Sequence, residues 1–359
     1  MKRIIFPGSF DPIHYGHLSI AQNALEALGA DVVTFLLSPS TVWKKVDTPF
    51  VKRETMIKLA LEDYPAFEMS NIEQTNEGKT NYTFYSLERL KALYPDDELY
   101  LLFGSDQANE FHRWKNPLEI IKLAQVVVYK RPGAKLNQAN LHNYNMKVIE
   151  GPMRSTSSTL VRHFASLDIP FSVLDYIITE KLYFAREIAK RMSNKRYMHS
   201  YEVAKVARLI ALSNRKNAAK AFKAGMLHDI AKEVPAAKLQ ELMGVHFKKY
   251  AHLDPWTHHQ FIGAYIAKHD FAVKDKEILN AIKFHASGRG RMNWLMKVIY
   301  AADVIEPTRG YDSNSLIAAC IDNLDLGFQQ VLKENQIYLK EKNIKVNNEL
   351  SLACIKRYL

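Results

Sequence analysis

The order in which apolar runs and helical patterns follow one another constrains the fold of this chain more than any other feature. Up to about residue 184, short strand-like runs (RIIF, DVVTFLL, ELYLLFG, AQVVVYK and MKVIEG) are separated by segments with helical spacing. Strands that alternate with helices predict crossover connections and a mostly parallel sheet, which binds ligands at the carboxyl ends of its strands. From about residue 186 only helical spacing remains. We therefore predict an α/β domain over residues 1–185 and an all-α domain over residues 186–359.

Composition excludes several classes of protein. A chain of 359 residues exceeds what a single core usually supports, and its 47% hydrophobic content is typical of globular proteins. The two cysteines, Cys320 and Cys354, form no CxxC pair, so neither a disulfide framework nor a thiolate zinc site is expected. The first apolar run is too short for a signal peptide, and no run reaches the roughly eighteen apolar residues of a membrane span. We expect a cytoplasmic protein without a membrane segment.

The net charge indicates the kind of partner. A formal charge of +11 favours anionic ligands, although a solvated lysine-rich surface would give the same value. Nucleic-acid binding would require basic residues interleaved with aromatic ones, and such groups occur only singly, as in KKY and KRY. We therefore expect no nucleic-acid partner, and a homo-oligomer is compatible with the sequence.

The stretch GSFDPIHYGH, residues 8–17, joins the first predicted strand to the first predicted helix. Gly8 lets a bound group approach the backbone, and the helix is expected to begin near Tyr15. His14 and His17 stand three residues apart and can face one way at the helix amino end, which favours anions such as a triphosphate. A histidine near a helix start can also simply cap the helix, and the residues alone leave both interpretations open.

A second candidate anion site is the stretch STSSTLVR, residues 155–162. Clustered hydroxyls precede a predicted helix over LVRHFASL, and Arg162 lies one turn into it. Serine and threonine before a helix are also ordinary N-caps. The stretch strengthens the interpretation of the first one, because a triphosphate can engage two anion sites.

Both stretches resemble the signatures of the nucleotidyltransferases that share an HxGH motif and a Rossmann-like parallel-sheet nucleotidyltransferase fold. Between them, RETMIKLA, TNYTFYSLERLK, LLFGSDQANEFHRW and VVVYKRPG resemble, in order, the blocks of bacterial nicotinate mononucleotide adenylyltransferases. The similarity covers about residues 1–184. It implies transfer of an adenylyl group from ATP to the phosphate of nicotinate mononucleotide, with Mg²⁺ bridging the phosphates.

The implied reaction is an in-line displacement at the α-phosphorus by an oxygen that is already anionic. Positioning and charge neutralisation are therefore expected to matter more than a general base. The resemblance assigns His14, His17 and Arg162 to catalysis, with His17 at the α-phosphate. It places Ser157 and Thr159, together with Arg162, at the β- and γ-phosphates. The other substrate and nucleotide contacts that it implies are Gly8, Ser9, Phe10, Asn81, Tyr82, Thr83, Gly104, Asp106, Trp114, Arg131 and Ser158.

Two of these expectations have alternatives. Trp114 resembles the residue that stacks on the pyridine ring, but a partly buried core tryptophan fits the sequence as well. Where the family usually has a Pro-Pro-His-Lys run, this chain reads SPSTVWKKV. Either Lys44 or Lys45 can supply the phosphate-binding charge there, Lys45 being our candidate, and a solvated surface lysine is the alternative.

Histidines and aspartates recur at separated points of the helical half. The ordered series is His199, His228, Asp229, His259, His285 and Asp303. A lone His-Asp dipeptide is common by chance, but the whole series would supply a mixed nitrogen and oxygen shell, which suits iron, manganese or zinc better than calcium. The series resembles that of HD-domain metal phosphohydrolases, which implies six ligands for two transition-metal ions, with iron or manganese expected.

The segments RYMHSYEVA, MLHDIAKEV, HHQFIGAYIA and AIKFHASGRGRMNWLMKVIYAADVIEPTRGYD narrow this resemblance. They are similar to the HD-domain enzymes that cleave diadenosine tetraphosphate symmetrically to two ADP, over about residues 190–312. The similarity favours His259 over His258 as the ligand and implies that Asp229 bridges the metals. The basic residues expected to act beside the metals or to hold the polyphosphate are Lys232, Arg289, Arg291 and Arg309.

The sequence thus indicates a bifunctional enzyme that acts on ATP, nicotinate mononucleotide and diadenosine tetraphosphate. Two alternatives concern its helical half, which could instead be a different nucleotide phosphohydrolase or a non-catalytic sensing module. The sensing alternative predicts an incomplete ligand set, whereas all six positions of the series are filled.

Overall fold

The computed structural model describes residues 1–39, 46, 48–74 and 81–359. It divides into two compact units, Met1–Glu180 and Lys181–Leu359. The first unit is α/β and the second is all-α, which confirms the predicted fold classes. The candidate Lys45 and its neighbour Lys44 lie outside the described residues. Among the helices that the structure describes, none combines the length and apolar character needed to cross a bilayer.

A six-stranded parallel sheet forms the centre of the first unit, in the spatial order β3-β2-β1-β4-β5-β6. The strands are β1 (Lys2–Gly8), β2 (Val32–Leu37), β3 (Phe67–Ser70), β4 (Glu98–Gly104), β5 (Gln125–Tyr129) and β6 (Lys147–Ile149). From the central pair β1 and β4 the chain winds outward in opposite directions. The connections that follow these two strands therefore diverge and leave a crevice at the carboxyl edge of the sheet, where Gly8 and Gly104 lie.

Helices connect the strands of this unit. They are α1 (Tyr15–Leu28), α2 (Phe50–Leu61), α3 (Thr83–Leu93), α4 (Ser105–Glu110), α5 (Pro117–Leu123), α6 (Gln138–Asn143), α7 (Ser158–Arg162) and α8 (Phe171–Thr179). Two elements differ from the sequence-based expectation. Strand β3 was not predicted, because its four residues form a sheet edge with only a weak apolar pattern. Helix α7 ends well before the LVRHFASL segment does, because Phe164 adopts a left-handed φ of 52°, which an α-helix does not accommodate.

The second unit consists of helices throughout its described length. They are α9 (Phe184–Ala189), α10 (Asn194–Ser213), α11 (Ala218–Leu227), α12 (Ala236–His246), α13 (His258–His269), α14 (Lys276–Lys283), α15 (Trp294–Ile305), α16 (Asn314–Asp322), α17 (Leu324–Glu341) and α18 (Glu349–Tyr358). Helices α10 and α11 touch backbone to backbone, because a Cβ added at Gly225 would lie only 2.6 Å from Cα of Ala204. The carboxyl-terminal helices pack on the same core: Cys354 is buried, and the Tyr358 hydroxyl accepts a hydrogen bond from the Met292 amide at 2.9 Å.

The contact between α10 and α11 generates a stability prediction. Gly225→Ala should lower the free energy of unfolding by about 1–3 kcal/mol through overpacking, because the new methyl group would overlap the Ala204 backbone. The matched control is Gly244→Ala in α12, where nothing lies within 4 Å of an added Cβ. This change should raise stability by up to about 1 kcal/mol through helix propensity. Urea unfolding followed by far-ultraviolet circular dichroism compares the variants, and a stabilising effect at both positions would contradict the close packing.

Candidate functional site

The crevice at the carboxyl ends of β1 and β4 forms a cavity of about 550 Å³. The sequence-predicted residues in its wall are Gly8, Ser9, Phe10, His14, His17, Gly104, Arg131, Ser157, Ser158 and Thr159. The wall also contains residues that the sequence analysis did not select, namely Gln107, Tyr129, Met153, Arg154 and Thr156. Of these, Gln107, Tyr129 and Thr156 had a sequence signal, because they lie within the stretches LLFGSDQANEFHRW, VVVYKRPG and STSSTLVR. The two predicted anion stretches therefore meet in one cavity.

His14 and His17 each use one ring nitrogen to cap helix α1. Nδ1 of His14 accepts a hydrogen bond from the Gly16 amide at 3.1 Å, and Nδ1 of His17 accepts one from the His14 amide at 3.3 Å. The two rings stack with their centroids 3.8 Å apart. Because both Nδ1 atoms are acceptors, the proton of each neutral ring lies on Nε2. The capping interpretation is therefore correct, and it leaves each histidine with an N–H donor for a ligand.

Burial keeps these imidazoles uncharged. It lowers the pKa of His14 to about 4, against a smaller raising effect of Asp168. It also lowers the pKa of His17 well below the usual value, and the nearby charge of Arg131 acts in the same direction. The pair therefore offers hydrogen bonds rather than positive charge to a bound anion.

The packing around the histidines requires glycine at two positions. A Cβ on Gly16 would lie 2.9 Å from the His14 ring, and one on Gly8 would lie 2.8 Å from the Phe10 ring. Phe10 is buried, and its ring meets the His17 ring edge-on with centroids 5.1 Å apart. The Phe10 side chain thus supports His17 by packing.

A buried arginine that the sequence analysis did not assign to the site organises the neighbouring loops. Arg53 is 1% exposed, and its guanidinium donates to the carbonyls of Ser9 (2.8 Å), Ser38 (2.7 Å), Pro39 (3.0 Å) and Thr48 (3.1 Å). These bonds tie the loop after β1 to the loop after β2. The sequence feature that could have identified Arg53 is its position in the RETMIKLA block.

The hydroxyls before α7 have structural partners. Ser157 is the N-cap of α7 and accepts a hydrogen bond from the Leu160 amide at 3.3 Å. The Ser158 hydroxyl donates to the Pro12 carbonyl at 2.9 Å, which joins the two predicted anion stretches. The ordinary N-cap interpretation is therefore correct for Ser157, which also lines the cavity.

Two predicted arginines are held near the cavity by different kinds of partner. Arg162 donates to the Asp11 carbonyl at 2.6 Å and to the Thr159 hydroxyl at 3.0 Å. Arg131 forms an ion pair with Asp106 at 2.8 Å, in which both side chains are exposed. Arg162 is thus fixed to the loop that precedes α1, whereas Arg131 is bound to a partner that solvent can replace.

The residues assigned to the pyridine ring are not among the described residues that line the 550 Å³ cavity. Trp114 packs against Phe103 and Phe111, with ring centroids 5.2 and 5.1 Å apart, at the edge of the sheet core. Asn81 donates to the Glu73 carbonyl at 3.3 Å. Tyr82 and Thr83 stand at the start of α3. The position of Trp114 fits the core alternative, and its stacking role stays a prediction.

The six predicted metal ligands converge in the second unit around one carboxylate. Oδ1 of Asp229 lies 3.4 Å from Nε2 of both His259 and His285. Its Oδ2 lies 3.6 Å from Nε2 of His228 and 3.8 Å from Nε2 of His199. The two oxygens of Asp229 therefore face two different groups of histidines.

Asp303 completes one of these groups. Its Oδ1 lies 3.2 Å from Nε2 of His199 and 3.6 Å from Nε2 of His228. The candidate ion-binding groups, whose ligand atoms lie within 4.8 Å of one another, are His199 with His228 and Asp303, and His228 with Asp229 and His285. Within the described residues, the buried Nε2 atoms of His199 and His228 make no geometrically acceptable hydrogen bond. A metal ion would satisfy both atoms, so the residues present fit a metal site.

Backbone carbonyls orient three of the histidines. Nδ1 donates to the carbonyl of the residue three positions earlier in His228 (2.7 Å), His259 (2.8 Å) and His285 (2.8 Å). The proton is then on Nδ1, and Nε2 keeps the lone pair that a metal requires. Burial lowers the pKa of His259 to about 3. That ring is therefore neutral at physiological pH.

The neighbours of His259 have separate roles. Nε2 of His258 lies 2.9 Å from the Leu253 carbonyl, so this buried ring has a structural partner. Nζ of Lys232 lies 3.3 Å from Nε2 of His259, at the edge of the ligand set. Of the two adjacent histidines, His259 therefore faces Asp229, and His259 is also the one that the similarity of the HHQFIGAYIA segment favoured.

Arginines border the ligand set. Arg309 donates to the carbonyl of Asp303 at 2.9 Å and also to its carboxylate. Arg196, which the sequence analysis did not select, donates to Oδ2 of Asp229 at 2.7 Å. The sequence feature that could have identified Arg196 is its position one turn before His199, the first ligand of the series. Arg289 packs its guanidinium 4.7 Å from the centre of a phenylalanine ring instead.

Comparison with known proteins identifies a family for each unit. Residues 5–164 match the cytidylyltransferase-like family, and residues 196–326 match the HD domain. A curated protein from Mycoplasma genitalium, named "Probable nicotinate-nucleotide adenylyltransferase/Ap4A hydrolase", is 32% identical over 349 residues, which is 95% of this chain and 99% of that one. A protein of the same name from Mycoplasma pneumoniae is 29% identical, over 92% of this chain and 98% of that one.

Among solved structures, the nicotinic acid mononucleotide adenylyltransferase of Plasmodium falciparum complexed with NaAD is 22% identical, with a TM-score of 0.44. The match covers 51% of this chain and 98% of that one.

The buried histidine pair predicts a pH dependence of stability. An unfolded histidine binds a proton near pH 6.5, but folded His14 does so only near pH 4. Between these values the unfolded state holds more protons, so the folded state loses stability as the pH falls. His14→Asn keeps an N-cap and removes this titration, which should reduce the slope by up to about 1.4 kcal/mol per pH unit. Urea unfolding at several pH values measures the slope, and an unchanged slope would disprove the assignment.

The two adjacent histidines of α13 offer a matched pair for metal binding. His259→Asn should lower the content of bound metal, because its Nε2 faces Asp229. His258→Asn should keep the full content, because Nε2 of His258 contacts the Leu253 carbonyl. Elemental analysis of the purified chains after dialysis against Mn²⁺ gives the metal content. A larger loss from His258→Asn would reverse the assignment.

Proposed function

Because the chain belongs to the family of nicotinate-nucleotide adenylyltransferase/Ap4A hydrolases, we propose that it carries both activities. The first unit transfers the adenylyl group of ATP to nicotinate mononucleotide, giving nicotinate adenine dinucleotide and pyrophosphate. The second unit hydrolyses diadenosine tetraphosphate (Ap4A) symmetrically to two ADP. The observation that carries the proposal is the presence in one chain of a cavity lined by the helix-capping residues His14 and His17 and of a cluster of six His and Asp side chains around Asp229.

In the transferase, a phosphate oxygen of nicotinate mononucleotide attacks the α-phosphorus of ATP in line with the leaving pyrophosphate. Negative charge grows on the phosphate oxygens as the transition state forms, and donors already in position stabilise it. His14 and His17 provide these donors through their Nε2–H groups, with His17 at the α-phosphate. Neither ring has to accept a proton, which agrees with their lowered pKa values.

The rest of the triphosphate is held by side chains of the second anion stretch. The hydroxyls of Ser157 and Thr159 and the guanidinium of Arg162 contact the β- and γ-phosphates. Arg131 can exchange its exposed partner Asp106 for a phosphate at little cost. Mg²⁺, which enters with ATP, neutralises part of the phosphate charge.

The nicotinate end of the substrate is assigned by resemblance. The pyridine ring stacks on Trp114, whose ring is only partly buried at the edge of the core. The backbone of Asn81, Tyr82 and Thr83 receives the pyridine carboxylate, and Gly104 lines the nucleotide crevice.

In the hydrolase, two divalent transition-metal ions, iron or manganese, would activate water and withdraw charge from the phosphoryl group. His199, His228 and Asp303 would hold one ion, and His259 and His285 the other. Asp229 would contribute one oxygen to each ion, because its two oxygens face different histidines.

The basic residues at this cluster orient the polyphosphate. Lys232 and Arg309 lie beside the ligands and contact the phosphates that flank the central anhydride. Arg289 binds the outer phosphates of the polyphosphate. The three substrates are free nucleotides, so the proposal places the protein in the cytoplasm and requires neither nucleic acid nor a membrane.

Reciprocal variants test the proposal. His17→Ala should lower adenylyl transfer by about 10²–10³-fold, because it removes a donor to the α-phosphate, and should leave hydrolysis intact. Asp229→Ala should abolish hydrolysis, because it removes the shared carboxylate, and should leave transfer intact. Chromatography of the nucleotides formed from ATP with nicotinate mononucleotide, and from Ap4A with Mn²⁺, measures both activities.

Exposed histidines provide the controls. His142→Ala in the first unit and His252→Ala in the second should change neither activity, because both side chains lie on the surface. Products other than ADP from Ap4A would rule out symmetric cleavage. Loss of both activities from either active-site variant would contradict independent sites.

A further inference from the structure

His199 differs from the other histidines of the ligand set in what orients it. Its Nδ1 lies 3.2 Å from Oε1 of Glu306, whereas the Nδ1 atoms of the others contact backbone carbonyls. Glu306 is 1% exposed, so a buried carboxylate stands directly behind this ligand. Neither motif comparison nor spacing selected Glu306, because it follows α15 at a distance of 107 residues from His199 along the chain.

The carboxylate of Glu306 is held in place on its other side. The Thr308 amide donates to Oε2 at 2.7 Å, and the Thr308 hydroxyl lies 2.8 Å from Oε1. Nε of Arg309 lies 3.8 Å from Oε1. A buried carboxylate is costly unless it is hydrogen-bonded, and these donors satisfy that requirement. The position of Glu306 is therefore determined by the turn Pro307–Arg309, independently of His199.

We propose that Glu306 is a positioning residue of the hydrolytic site. By accepting the Nδ1 proton of His199, it fixes the tautomer in which Nε2 presents its lone pair to a metal ion. Its negative charge also makes that nitrogen a stronger ligand than the carbonyl-bonded histidines. This inference rests on the proposed metal-dependent function of the second unit. It adds to the six ligands a residue that acts through one of them and touches no metal.

The position of His199 makes the effect selective. His199 belongs to the candidate group with Asp303 and His228, and the second group, with Asp229 and His285, does not contain it. Glu306 should therefore set the affinity of one ion and leave the other almost unchanged. A residue with a merely structural role would weaken both sites together.

Titration calorimetry of the metal-free full chain with Mn²⁺ tests whether Glu306 sets the affinity of one ion only. The Glu306→Gln side chain keeps its length and can still accept from Nδ1, but it lacks the charge. The wild type should bind two equivalents of Mn²⁺, whereas the variant should bind one normally and the other about 10–100-fold more weakly. Glu241→Gln in α12 is the matched control, because it makes the same loss of charge at an exposed glutamate that pairs with Lys238, and both affinities should persist.

A second measurement works even if Glu306→Gln does not fold. Nitrogen-15 spectra of histidine-labelled wild-type protein loaded with Zn²⁺ should show the His199 proton on Nδ1, with the signal assigned by its loss in His199→Asn. A His199 proton on Nε2 would overturn the inference. So would equal affinities of wild type and Glu306→Gln, or an equal loss at both sites.

These readouts are independent of the nucleotide substrate. A chain that binds two Mn²⁺ ions with the predicted selectivity but does not cleave Ap4A would overturn the proposed activity and support the role of Glu306. A wild-type chain that binds no Mn²⁺ would overturn both.

Discussion

The hydrogen bond at Nδ1 of each functional histidine decides what its Nε2 can do, and both sites depend on that choice. In the first unit, Nδ1 of His14 and His17 accepts from backbone amides, so Nε2 carries a proton and donates to oxygen. In the second unit, Nδ1 of His228 and His285 donates to carbonyls, so Nε2 keeps its lone pair for a metal. The backbone makes the difference: the amino end of α1 has amides without helical partners, whereas the last turns of α11 and α14 have free carbonyls.

The second site also depends on how closely two helices approach. His199 lies on α10 and Asp229 follows α11, so the distance between these helices sets the distance between a ligand and the shared carboxylate. Gly225 allows the two backbones to touch, and its carbonyl also holds Nδ1 of His228. One residue without a side chain thus serves both the packing and the orientation of a ligand. A bulkier residue there would separate the helices and would widen the ligand set.

Much of this architecture could be predicted from the sequence, because patterns of neighbouring residues along the chain indicate it. The alternation of strands and helices identified the α/β unit, and the spacing of the His/Asp series named residues that the fold brings together. What the sequence could not reveal depends on partners far along the chain. Gly225 matters because of Ala204 on another helix, and the importance of Arg53 lies in the carbonyls that it contacts. Glu306 carries no signal until the fold places it behind His199.

The charge balance of the cavity in the first unit follows from the neutrality of its histidines. Since the rings carry no charge, the positive potential must come from arginines, and two of those that line the cavity have acidic partners. Arg131 pairs with Asp106 in an exposed contact, whereas Arg154 donates from two of its nitrogens to the half-buried carboxylate of Asp168. Exposed ion pairs are worth about 0–1 kcal/mol, so a polyphosphate can displace Asp106 from Arg131 at little cost. Arg162 is different, because the Asp11 carbonyl and the Thr159 hydroxyl both hold its guanidinium, and the Asp11 carboxylate lies 4.0 Å from it. The first unit thus combines two arginines that are fixed in advance, Arg154 and Arg162, with Arg131, which can exchange its partner for a phosphate.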